Sequence, residues 1–200
     1  MERESEEYFN NFRNHIEKYV KLEESEAGHI FSFFSIRKVE KKDVLLEPGN
    51  ICRVECFVSS GLFQSAVLDE SGKTHTLNFP HEDWWVGDFK SFSTRKPSAM
   101  KIEALEDSTV LEISKPSLDE LLGSSQSFAI YFRTLSENAS MAANERIINQ
   151  LSLSAEERYE LFRKKYVRLK DRLSQRRIAS FLGVSPEYFN QIEKRKNRNT

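Results

Sequence analysis

The chain has 200 residues, of which 38% are hydrophobic and 12% aromatic with fifteen Phe, a composition that suits packed cores and excludes a disordered chain. Its formal net charge of −1 hides an asymmetry: from Arg158 onward 13 Lys/Arg face 4 Asp/Glu, a net of +9, and the first 157 residues carry −10. No apolar run approaches the ~18 residues of a membrane span, the charged start is no signal peptide, and two cysteines without further ligands suit a reduced, cytoplasmic setting.

In chain order, residues 1 to about 35 read as helical, because Tyr8, Phe9, Phe12, Ile16, Tyr19 and Val20 recur at helix spacing. From 36 to about 115 the pattern changes to short apolar runs broken by Pro48-Gly49, Ser60-Gly61, Ser71-Gly72 and Gly87. Turns at that spacing mark an antiparallel β unit. Cys52 and Cys56 fall on what reads as one of its strands, where two positions four apart face the same side. They are expected to be buried spectators. Ser117 to Leu122 reads as a short helix closing the β unit, followed by a long helix from about Ser125 to Leu151. On it Phe128, Phe132, Leu135, Ala139 and Ala142 fall at alternating steps of four and three, the spacing of a dimer seam. Ser154-Ala-Glu-Glu157 then has the form of a capping box.

The basic end carries a helix-turn-helix pattern. Ala179 lies four residues before Gly183, a small residue for a close helix crossing and a glycine for the left-handed turn. Ile178, Leu182, Val184, Phe189 and Ile192 lock the two helices, and Ser185 with Pro186 starts the second. Ser185, Glu187, Tyr188, Asn190 and Gln191 are the expected base-reading residues, since Asn and Gln pair bidentately with adenine and Glu accepts from cytosine. Arg176, Arg177, Lys194, Arg195, Lys196 and Arg198 are the expected phosphate contacts. A two-fold dimer would set two such helices about 34 Å apart on a palindromic duplex.

The order of these parts resembles the Crp/Fnr superfamily of bacterial transcription regulators. In the β unit the resemblance is carried by Leu45-Leu-Glu-Pro-Gly49, Phe57-Val-Ser-Ser-Gly61, Leu68-Asp-Glu-Ser-Gly-Lys73, Asp83-Trp-Trp-Val-Gly-Asp88 and Ile102-Glu-Ala-Leu-Glu-Asp107. It implies an α+β chain in three parts. Residues 1–122 would form N-terminal helices and a jelly-roll-like antiparallel β-roll of the cyclic-nucleotide-binding kind, 123–152 a dimerisation helix, and 153–200 an all-α helix-turn-helix domain. It also implies a homodimer on double-stranded DNA, contact with RNA polymerase, and a small-molecule effector whose binding shifts the DNA-reading heads.

Departures from the family pattern bear on the effector. Gly87-Asp88 stands where nucleotide binders carry Gly-Glu, and in Ser93-Thr-Arg-Lys-Pro-Ser-Ala99 the phosphate-clamping arginine is replaced by Pro97 or Ser98. Gly87, Asp88, Arg95, Lys96 and Ser98 are the candidate effector residues, with cyclic AMP in the usual mode disfavoured by the lost guanidinium. The usual arginines of the reading helix are absent from Pro186-Glu-Tyr-Phe-Asn-Gln191 as well. One alternative is a dimeric relative that has lost specific DNA binding. Another is a cupin-like metalloenzyme built on His75, His81 and Glu82, which lack the His-x-His spacing. No metal, cofactor or catalytic arrangement is expected.

Overall fold

The computed structural model describes residues 2–197, with side chains from 6 to 195. Helix α1 (Glu2–Glu17) and helix α2 (Glu24–Phe31) precede eight strands: β1 (Ser35–Val39), β2 (Val44–Leu46), β3 (Val54–Ser60), β4 (Phe63–Leu68), β5 (Thr74–Asn78), β6 (Trp85–Val86), β7 (Met100–Ala104) and β8 (Ser108–Ser114). A short helix α3 (Phe89–Thr94) lies between β6 and β7. Then come α4 (Lys115–Ser124), α5 (Gln126–Ser152), α6 (Ala155–Lys165), a 3-10 turn at Lys170–Arg172, α7 (Gln175–Leu182) and α8 (Pro186–Asn197).

The strands form two four-stranded sheets, β1-β8-β3-β6 and β2-β7-β4-β5, and every pair is antiparallel. This is the expected α+β roll. One apolar core joins it to the helices: Phe12 and Ile16 of α1, Phe34, Phe57 of β3, and Phe128 and Tyr131 of α5 are all buried. Rings meet closely there, with Phe12 and Phe57 centroids 4.6 Å apart. The Tyr131 hydroxyl accepts from Trp85 Nε1 at 3.0 Å and lies 2.9 Å from His15 Nδ1, so the polar ends inside the aromatic cluster satisfy one another.

The N-terminal helical zone is two helices, broken between Glu17 and Glu24. Two details differ from the expectation. Cys52 precedes β3 rather than lying on it; its N–H donates to Ser91 Oγ at 3.0 Å and so serves the loop instead of a ladder. The stripe on α5 is divided: Phe128 is fully buried, Phe132 and Leu135 pack on the chain's own core, and Ala139 and Ala142 are exposed. The large aromatics near the start of α5 pack on the chain's own core, and the small residues further along it are exposed.

A second core holds the C-terminal helices. Tyr159 and Phe162 of α6, Ile178, Ala179 and Leu182 of α7, and Phe189 and Ile192 of α8 are buried together. Leu62, Phe79 and Leu105 of the roll belong to the same cluster. The head is therefore packed on the roll.

Candidate nucleic-acid interface and effector site

The two helices α7 and α8 are set by local chemistry. Ser174 caps α7 by accepting from Arg177 N–H, and Gly183 ends it at φ +72°, where a side chain would be strained. Ser185 Oγ accepts from Tyr188 N–H at 3.1 Å, giving one free donor at the start of α8 a partner. Ala179 is wholly buried, which allows the close crossing, while Phe189 and Ile192 turn one face of α8 inward. Its other face is open: Ser185, Glu187, Tyr188, Asn190, Gln191, Lys194 and Arg195 are all exposed. Two of these are steadied from α6, since Tyr188 Oη donates to Glu156 at 3.1 Å and Arg195 lies 3.5 Å from the same carboxylate. The start of the helix and Ser185 hold the Glu187 carboxyl below its ordinary range, so it is an acceptor at neutral pH.

The expected phosphate contacts separate. Arg176, Lys194 and Arg195 are exposed. Arg177 turns to the roll, its Nε donating to Gln64 at 3.0 Å and its Nη2 lying 3.7 Å from Glu103. The side chain of Lys196, and Arg198 altogether, lie outside the described residues.

At the effector loop, the retained carboxylate is occupied. Asp88 caps α3 by accepting from Lys90 and Ser91 N–H, and its second oxygen accepts from Ser98 Oγ at 2.6 Å. Arg95 sits at φ +57° with its side chain in solvent, and Lys96 is exposed too. Pro97 and Gly87 line a cavity of about 690 Å³ with Arg37, Cys52, Cys56 and Glu112, and Arg95 and Lys96 are not among its lining residues. So Gly87, Asp88 and Ser98 are brought together, and Arg95 and Lys96 are not.

A residue not anticipated from the sequence stands beside Gly87. The Glu55 carboxyl is packed so closely over that glycine that any side chain at 87 would overlap it. Glu55 is 5% exposed, its Oε1 has no hydrogen-bond partner among the described residues, and burial, followed by the nearby Asp88 charge, pushes its pKa up to about 8. A carboxyl within the apolar run Val54-Glu-Cys-Phe-Val58 was the available signal. Burial raises the pKa of both cysteines, which keeps them as thiols. His75 pairs with Asp69, His81 bonds to Phe79 O and Glu82 pairs with Arg172, so the three do not converge as metal ligands.

Residues 36–125 match the family model of the cyclic nucleotide-binding domain. No curated protein sequence matches the chain. Among solved structures, the c-di-GMP responsive global regulator CLP from Xanthomonas campestris is similar at a TM-score of 0.70 and 14% identity, over 88% of this chain and 93% of that one. FixK2 from Bradyrhizobium japonicum gives 0.70 and 17%, over 83% and 85%. A protein from Eubacterium rectale described as a transcriptional regulator of the Crp/Fnr family gives 0.68 and 18%, over 89% and 85%. The fold is thus that of a cyclic-nucleotide-binding-like roll joined by a long helix to a C-terminal helical head. It is the fold of the Crp/Fnr regulators, as the sequence motifs implied.

Proposed function

We propose that the chain is a cytoplasmic, sequence-specific DNA-binding transcription regulator of the Crp/Fnr type, acting as a homodimer and without catalysis. The observation that carries this reading is the outer face of α8. Glu187, Asn190 and Gln191 stand exposed on a helix fixed from beneath by Phe189 and Ile192, within the most basic stretch of the chain. Such a face suits the major groove, with Gln191 and Asn190 reading adenine and Arg176 and Lys194 on phosphates. Dimerisation is supported by the outer half of α5, where Met141, Ile148 and Leu151 are 61%, 61% and 84% exposed.

The effector, where one acts, is not held by a guanidinium clamp on a cyclic phosphate. Pro97 or Ser98 stands in the arginine's place and Asp88 is already committed within its own loop. Selection from a random duplex pool, with a salt titration on the winner, tests the reading. A palindromic consensus with steep salt dependence is expected. Only weak, sequence-blind binding would overturn it.

A further inference from the structure

The contact between head and roll carries a charge pattern of its own. Arg172, just before α7, lies between two carboxylates of the roll. Its Nη1 and Nη2 each donate to Glu82 at 2.9 Å, while Nε and Nη2 donate to Glu106 at 3.0 and 2.6 Å. Both edges of one guanidinium are thus used, a geometry that lysine could not supply. Glu82 is itself anchored by accepting from Gly61 N–H at 3.0 Å.

A second arginine follows within α7. Arg177 reaches Gln64 of β4 and Glu103 of β7, and Glu103 also accepts from Lys101 at 2.7 Å. Between the two arginines, Leu173 is buried in the cluster that head and roll share, so the polar contacts flank an apolar anchor.

The third contact involves the sheet's edge. β5 is an edge strand, so its outward backbone groups have no strand to pair with. The head and α5 meet them instead. Ser180 Oγ of α7 donates to Thr74 O at 2.7 Å and accepts from Thr76 N–H at 3.0 Å, and Arg146 donates to Thr76 O at 2.9 Å. Arg146 also stacks on Phe181, 4.3 Å from the ring centroid, and Phe181 lies 5.6 Å from Phe79 of the roll.

We infer, building on the DNA-binding reading above, that this acidic face of the roll is a docking surface for the chain's own head, and that DNA must compete with Glu103 and Gln64 to obtain Arg177. The first helix of a helix-turn-helix crosses the DNA backbone, so Arg177 near the start of α7 is positioned for a phosphate. In the docked arrangement that guanidinium is turned to the roll, and Glu82, Glu103 and Glu106 place three carboxylates beside Arg172 and Arg177. Docking therefore weakens DNA binding while leaving the reading face of α8 uncovered.

The test is a triple variant, Glu82→Gln, Glu103→Gln and Glu106→Gln, in the full chain, with Glu103→Gln alone as the milder version. A control with the same charge change, Glu23→Gln, Glu70→Gln and Glu120→Gln, alters exposed carboxylates that make none of these contacts. Amide exchange at Thr76, whose N–H donates to Ser180, reads head release without DNA, and binding to a selected duplex reads the consequence. Faster exchange with about tenfold tighter binding in the triple variant, a smaller gain in Glu103→Gln and no comparable gain in the control are expected. Wild-type binding with no gain beyond the control overturns the inference and leaves the DNA reading intact. If neither wild type nor variants bind any duplex at low salt, the DNA reading fails and the inference with it.

Discussion

The loop around Asp88 and the outer face of α8 make an instructive pair. Both are places where the family resemblance leads one to expect recognition, and both depart from the family pattern in their charged residues. Inside the loop, the polar groups bond to one another: Asp88 to Ser98 and to the start of α3, and Ser91 Oγ to Lys96 O at 2.6 Å. On α8, Asn190, Gln191 and Lys194 face solvent from a buried apolar base. One altered motif has thus become internal support, whereas the other keeps an outward-facing geometry. Bonding within the loop already offsets the cost of burying its polar groups; the helix leaves its groups for a partner to satisfy.

The contrast can be broken most strongly from beneath α8. Phe189→Ala should cost about 3–5 kcal/mol, because the ring is wholly buried, and should show as head unfolding at lower denaturant with the roll's aromatic core retained. Next, Gln191→Ala should cost about 1–3 kcal/mol of discrimination between the selected duplex and a mismatched one, while Arg176→Ala should weaken both alike. Equal effects of the two variants on specific and random duplexes would dismiss these roles. In the loop, Asp88→Ala should lower stability by about 0.5–2 kcal/mol in thermal melts, as expected for loss of a helix cap. An unchanged melting temperature would show that the carboxylate does not hold the loop.

A pH-dependent effect concerns Glu55. Its folded pKa is raised from an ordinary value near 4.5 to about 8, so the native state holds a proton that the unfolded chain releases. Its contribution is fully present below the unfolded value and is lost as pH rises through that window, up to about 8. Glu55→Gln should flatten that decline in a denaturation series across pH. An identical pH dependence in the two proteins would reject the assignment.

Much of the architecture was legible because it rests on local signals. Turn glycines, the Ser154 capping box and the Ala179, Gly183 and Ser185 spacing each fix backbone geometry within a few residues. The alternating seam on α5 was readable as apolar but not as to partner, since Phe128 and Phe132 satisfy a coiled-coil spacing and an intrachain core equally well. The site was harder still. Arg177 meets Gln64 and Glu103, and Arg172 meets Glu82 and Glu106, across long stretches of intervening chain, so no local pattern distinguishes them from arginines left for phosphate. Charge run and position suggested what the arginines could bind, and the folded chain decides which of them are occupied.

The outer half of α5 has a mechanical consequence. Residues 136 to 152 continue past the roll's aromatic core as a single shaft, about 25 Å long at 1.5 Å per residue. A tilt of ~10° at its base would carry the far end through ~4 Å, slightly more than the ~3.4 Å between successive nucleotides along a strand. A shaft of that length would turn a small change of angle at its base into a displacement of that size at its far end, where the C-terminal head begins.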